Sequence, residues 1–147
     1  MRKFEVVKED CRKHPGVEIS LPKRATEGSM GYDFYSPAEY EVKPGDVAKI
    51  WTDVHAVMEK DEGLLLNIRS SMGGRFCLLN TIGVIDQDFI LGKTNGNVGI
   101  FLKNISDEVQ YIHKGDAIAQ GIFLKYLVTD DDEADAKRTG GFGSTGR

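Results

Sequence analysis

Gly83-Val84-Ile85-Asp86-Gln87-Asp88-Phe89 reads as a short strand running into a tight turn, and units of this kind decide the fold. An apolar pair precedes the carboxylate of Asp86, and an aromatic ring follows three residues later. Such a carboxylate either caps its own turn or, within hydrogen-bond reach of a water, acts as a general base. Similar β-like runs recur on both sides: Phe4–Val7, Val17–Leu21, Tyr40–Val42, Ala48–Trp51, Leu64–Ile68, Cys77–Leu79, Val98–Leu102, Val109–Ile112 and Ile118–Leu124. Lys43-Pro44-Gly45-Asp46, Lys60-Asp61-Glu62-Gly63 and Lys114-Gly115-Asp116 supply turns between them. No long stretch carries the period of an amphipathic helix, although Ser71 to Arg75 reads as a short turn. Many short strands at a spacing of roughly 8–12 residues predict an all-β sandwich, jelly roll or barrel.

The chain has 147 residues, of which 40% are hydrophobic and 29% charged. That suits one domain with a real core, and no internal repeat divides it. No apolar run approaches the roughly 20 residues of a membrane helix, and Met1-Arg2-Lys3-Phe4-Glu5 lacks the apolar centre of a signal peptide. A net charge of −4 argues against a general nucleic-acid footprint, but leaves room for a small anionic ligand at a local cluster of donors. Cys11 and Cys77 do not form a metal-ligand spacing, and Cys77, between Phe76 and Leu78, reads as a small buried hydrophobe. His14, His55 and His113 are scattered singly, which gives little support to a zinc site or a Ser-His-Asp triad. The expected compartment is the reducing cytosol.

Residues 1–128 form the β domain in this reading. Residues 129–136, Thr129 to Ala136, are an acidic linker with few apolar side chains, expected to be exposed. Residues 137–147 form a Gly-rich C-terminal arm around the single aromatic Phe142. Its glycines let backbone N–H groups approach an oxyanion, and its ring can stack on a planar base; a generic Gly/Ser tail is the alternative. Ile68-Arg69-Ser70-Ser71-Met72-Gly73-Gly74-Arg75 ends a strand in a guanidinium, two hydroxyls and a glycine pair, donors suited to an anion. A strand-ending turn with an exposed Arg is the alternative. Gly31-Tyr32-Asp33-Phe34-Tyr35-Ser36 sets an Asp on a short strand, and Gly115-Asp116-Ala117-Ile118-Ala119-Gln120 leads a turn into a strand bearing an amide.

Taken together, and over nearly the whole chain, these stretches resemble the five motifs of the trimeric dUTP pyrophosphatase (dUTPase) family, in the family's order. They begin at Gly31, Arg69, Gly83, Gly115 and Gly140; the last, Gly140-Gly141-Phe142-Gly143-Ser144-Thr145-Gly146, is the most specific. The resemblance implies a jelly-roll-like β subunit and a homotrimer with active sites between subunits, each closed by a C-terminal arm that reaches over a site formed by the other chains. It implies hydrolysis of dUTP to dUMP and pyrophosphate, with Mg²⁺ held mainly by the phosphates and Asp33 touching its water shell. Asp86 would deprotonate the water that attacks the α-phosphorus. Arg69, Ser70 and Gln120 would contact phosphates, Ser71 would add a hydroxyl donor, and Ser144 and Thr145, with the Gly143 backbone, would hold the γ end. Asn80 and the backbone near Gly83 and Gly99 would read the uracil edge, and Phe142 would cover the base.

The chain departs from the family pattern at four points. Phe89 stands where Tyr is usual and is expected to pack on the deoxyribose in the same way. Ser71 replaces a Gly. Ile90 to Asn95 lengthens the segment after the third motif, before Gly96-Asn97-Val98-Gly99. The fifth-motif Arg is usually where Lys137 stands, so Arg138, one residue nearer Phe142, is expected to take its role with Lys137 second. Two rival functions remain. A dCTP deaminase of the same fold needs a Glu on the strand after the third motif, and Val98 to Lys103 carries none. A dUTP-binding regulatory module could signal through a partner at Leu91 to Asn95.

Overall fold

The computed structural model describes residues 1–140. Among them are eleven strands: β1 (Lys3–Val6), β2 (Tyr32–Tyr35), β3 (Tyr40–Val42), β4 (Val47–Trp51), β5 (Val54–Val57), β6 (Glu62–Asn67), β7 (Phe76–Leu78), β8 (Gly83–Ile85), β9 (Gly99–Asn104), β10 (Gln110–Ile112) and β11 (Ala117–Lys125). Every strand pairing is antiparallel. The main sheet runs β2-β11-β6-β8 and a second runs β4-β9-β7, with the pairs β1-β5 and β10-β3 beside them. This is the expected all-β, jelly-roll-like architecture.

Period-two alternation explains how the sheets close on one another. In β6, Glu62, Leu64 and Leu66 face inward, while Gly63, Leu65 and Asn67 are only half-buried. Ala48 and Ile50 of β4 and Ile100 and Leu102 of β9 do the same from the second sheet. Leu64, Leu66, Ile50, Ile100, Leu102, Phe34 and Phe76 thereby join one core. Phe4 closes one end of it, meeting Tyr32, Phe34 and Phe123 at ring-centre distances of 5.3–5.4 Å.

Three sequence expectations are corrected. Val17–Leu21 alternates like a strand but is not one. Among the described residues no strand lies alongside it, and only a single bridge, Lys23 to Asp33, follows. Cys77 is half-exposed, because Phe76 and Leu78 on either side take the inward positions of β7. The strand β5 was not expected, since its run carries His55 at a buried position. That ring is satisfied there: Nδ1 lies 2.8 Å from the Asn95 carbonyl and Nε2 lies 3.2 Å from a Glu5 carboxylate oxygen.

The corner between β4 and β5 is fastened by Asp53, which is fully buried in the left-handed region at φ 58. Its carboxylate accepts bonds from the Lys13 and His14 backbone N–H groups at 2.7 and 2.8 Å. Asn97 Nδ2 at 2.9 Å and Arg12 Nε at 3.2 Å complete the set. Burial opposes ionisation, but the four donors outweigh it and hold the Asp53 carboxyl below its ordinary range. The stability it contributes is therefore present above the ordinary carboxylate range and is lost as pH falls through the lower folded value. Asp53→Ala leaves the nearly buried Arg12 with only a 3.9 Å pair to Glu9 and two backbone carbonyls, and puts Ala at a positive φ. Breaking a buried pair costs about 3–5 kcal/mol, so the melting temperature is expected to fall by about 10 °C. Asn at this position tolerates the backbone angle and should cost less. Thermal melts of the two variants check this.

Candidate active site

The turn that carries the chain from β7 to β8, with the start of β9, borders a cavity of about 400 Å³, with Asn80, Gly83, Phe89, Gly99 and Phe101 among its walls and Asp86 at its mouth. Glycine is required at two of these positions by close approach. A Cβ on Gly83 would stand 2.9 Å from Leu66 Cβ, and one on Gly99 would meet the Phe101 and Trp51 rings at 3.0 Å. The cavity wall is therefore partly bare main chain, suited to reading the donors and acceptors of a planar ring edge. Thr81 in the turn between β7 and β8 has φ 63, a conformation uncommon for a β-branched residue. It is held by Thr81 N to Leu78 O at 3.0 Å and by its hydroxyl on the Asn80 carbonyl at 2.6 Å. Asn80 beside it is exposed.

After β8 the chain stays extended at Asp86 and then tightens into a 3₁₀ turn, Gln87–Leu91. Phe89 N bonds to Asp86 O at 3.1 Å, which turns the Phe89 ring into the cavity wall while it remains nearly buried. The Asp86 side chain stays 54% exposed. The lengthened segment after this turn folds back on the body. Asn95 Oδ1 accepts from Lys8 N at 2.9 Å, while its carbonyl faces His55. Asn95 and Gly96 both take positive φ to make that turn.

Arg138 comes to the same place. Its Nη2 lies 2.5 Å from Asp86 Oδ2, its Nε lies 2.7 Å from Asp88 Oδ1, and its guanidinium carbon stands 5.7 Å from the centre of the Phe89 ring. The side chain is only 6% exposed. The sequence reading expected Arg138 at phosphates and did not single out Asp88. The only available signal was a second carboxylate in the third motif and a cationic arm far along the chain.

A second group of expected site residues gathers elsewhere. Arg69 Nε pairs with Asp33 Oδ1 at 3.0 Å, and Gln120 sits in register between Asp33 and Asn67. Gly31 lets the Gln120 side chain lie against it, for a Cβ there would meet Oε1 at 2.5 Å. Ser70 and Ser71 are exposed in the 3₁₀ turn Ser70–Met72. Ile85 pairs with Leu64 and Gly83 with Leu66, so Asp86 falls at the Gly63 end of β6 and Arg69 beyond its Asn67 end. Six residues of extended chain separate those ends by roughly 20 Å. The two groups of expected residues thus lie at opposite ends of one sheet. Among the described residues no three His, Cys, Asp or Glu side chains come together to hold a metal ion. Phe142, Gly143, Ser144 and Thr145 lie outside the described residues.

Comparison with known proteins agrees with this architecture. A family model described as dUTPase matches residues 17–146. The chain is 40% identical over 151 residues to the deoxyuridine 5'-triphosphate nucleotidohydrolase of Lactococcus lactis subsp. lactis (strain IL1403), covering 99% of this chain and 98% of that protein. Its fold superimposes on the dUTPase of Streptococcus mutans with a TM-score of 0.74 at 30% identity, covering 87% of this chain and 98% of that one. A mutant dUTPase from phage phi11 of S. aureus, solved with the coordination of a structural Mg(II) ion, shares the fold at a TM-score of 0.67 and 21% identity, over 92% and 97% of the two chains. The chain belongs to the dUTPase family.

Proposed function

We propose that this chain is a dUTP diphosphatase, hydrolysing dUTP to dUMP and pyrophosphate. That supplies dUMP for thymidylate synthesis and keeps uracil out of DNA. The observation that carries the reading is the Asp86 carboxylate at the mouth of a glycine-walled cavity, within a chain that matches the family over residues 17–146. Asp86 takes a proton from a water as that oxygen bonds to the α-phosphorus. The bond from the α-phosphorus to the bridging oxygen breaks, and pyrophosphate leaves in line. Arg69, Ser70, Ser71 and Gln120 offer donors to the phosphates, joined by Arg138 and the arm residues Gly143, Ser144 and Thr145. Asn80 and the main chain at Gly83 and Gly99 read the uracil edge, and Phe142 covers the base. Mg²⁺, when bound, neutralises charge on the triphosphate; we assign it to phosphate oxygens and water, with Asp33 at its water shell.

The roughly 20 Å between Asp86 and Arg69 supports a site completed by a neighbouring copy, because one chain cannot bring both to one phosphate. Exposed Tyr126, Leu127 and Val128, at 50%, 96% and 64%, support association as well. We assign a homotrimer with shared sites. Among the described residues no helix is long and apolar enough to cross a membrane; the cytosol is our assignment, supported by the two free cysteines. The strand β9, Gly-Ile-Phe-Leu-Lys-Asn, offers no carboxylate for a deaminase.

A turnover assay across dUTP, dCTP, dTTP and UTP tests the reading. Pyrophosphate release from dUTP alone is expected, and ammonia from dCTP would overturn it. Phe89→Ala removes the ring expected against C2′ of the sugar. A 2′-hydroxyl buried without a partner costs about 1–3 kcal/mol, so the dUTP-to-UTP ratio in kcat/KM should shrink by about 5- to 150-fold. An unchanged ratio would take sugar choice away from Phe89.

A further inference from the structure

We propose that Asp88 is a positioning residue that parks Arg138 across the mouth of the pocket, making the arm arginine an internal competitor of nucleotide. This rests on the proposed function in taking the cavity as the nucleoside site, Phe89 as its sugar contact and phosphates as the other partners of Arg138. Three contacts define the parked state: Nε on Asp88, Nη2 on Asp86, and the guanidinium over the Phe89 ring. The last carries the competition, because the guanidinium stands on the ring that the proposed function gives to the sugar. Nearly complete burial of a guanidinium is costly unless its charge is paired, and here two carboxylates share that task.

The topology makes the contact easy to form. The strand β11 ends at Lys125 opposite Glu62, and Asp86 continues β8 just past the Ile85–Leu64 pair. The root of the arm and the mouth of the pocket therefore share one end of the sheet, with residues 126–137 to join them. Nucleotide and parked arginine exclude each other, so every ligand that enters must first displace Arg138. A triphosphate gives the displaced guanidinium new oxygens to bind. A monophosphate gives it far fewer, so the parked state opposes product more effectively than substrate and helps dUMP leave.

The observed dissociation constant of a ligand rises by the factor with which the parked state outweighs the open one. Asp88→Asn keeps the shape and an acceptor oxygen but removes one charge from the fork. The full-length protein is titrated calorimetrically with dUMP, as wild type, Asp88→Asn, Asp88→Glu, Arg138→Ala and the Asp88→Asn/Arg138→Ala double variant. Asp88→Asn is expected to bind dUMP about three- to tenfold more tightly, and its dUMP inhibition constant to fall by the same factor. Asp88→Glu should return the affinity towards wild type. In the Arg138→Ala background the Asp88→Asn change should do nothing further. Loosening of the local turn would weaken dUMP binding, so the sign of the change separates parking from a merely structural role. Unchanged or weaker dUMP binding in Asp88→Asn, or equal tightening without Arg138, would overturn the proposal. Neither result touches the diphosphatase reading, which stands or falls on dUTP turnover by the wild type.

Discussion

Asp86→Asn is expected to lower kcat for dUTP by about 10²–10⁴-fold, the range for loss of a general base, while nucleotide binding persists. The amide cannot take a proton from the attacking water, yet it keeps the extended backbone that leads into the Gln87–Leu91 turn. Near wild-type turnover would remove Asp86 from the mechanism. The same variant tests site sharing. Arg69→Ala should also be weakly active, since it lacks the guanidinium in the other half-site. Mixed in equal amounts and reassembled, the two should recover about one working site in four, because a ring then pairs an intact Asp86 with an intact Arg69 at that frequency. No recovery on mixing would place both residues in one subunit's site, against the separation that β6 imposes.

Truncation after Ala136 is expected to lower kcat by about 10²-fold or more, the cost of losing one preorganised donor to developing charge. It removes Arg138 together with the hydroxyls and glycines of the fifth motif. The apparent affinity for dUMP should not fall with it, since the truncated chain also loses the guanidinium parked on Asp86 and Asp88. A truncation that raised KM and left kcat intact would mean that the arm contributes only to ground-state binding.

The alternating strands were legible because each needs only its own residues to declare an inward and an outward face, as in β4, β6 and β9. Asp86 and Gly83 were legible for a similar reason: they stand in one local motif. Contacts between distant segments were not. Asp53 and Asn97 look like ordinary turn residues, yet they bond to each other and both lie inside. His55 hid β5 because its two partners come from β1 and from the lengthened segment. Val17–Leu21 misled for the opposite reason: its alternation is real, but a strand also needs a neighbour. The pairing of Arg138 with Asp88 spans 50 residues, and no spacing rule announces it.

The bare wall at Gly83 and Gly99 has a consequence for redesign. Base preference in most pockets is altered by exchanging one side chain for another, but at these two positions any added carbon collides with Leu66 or with the Trp51 and Phe101 rings. On the proposed reading of the base, its edge meets main chain, and the path of that chain runs through the turn at Thr81. A variant that accepts a different base would have to reshape the loop from Leu79 to Ile82 as a unit. Single substitutions in the wall would more readily yield a closed cavity than a new specificity.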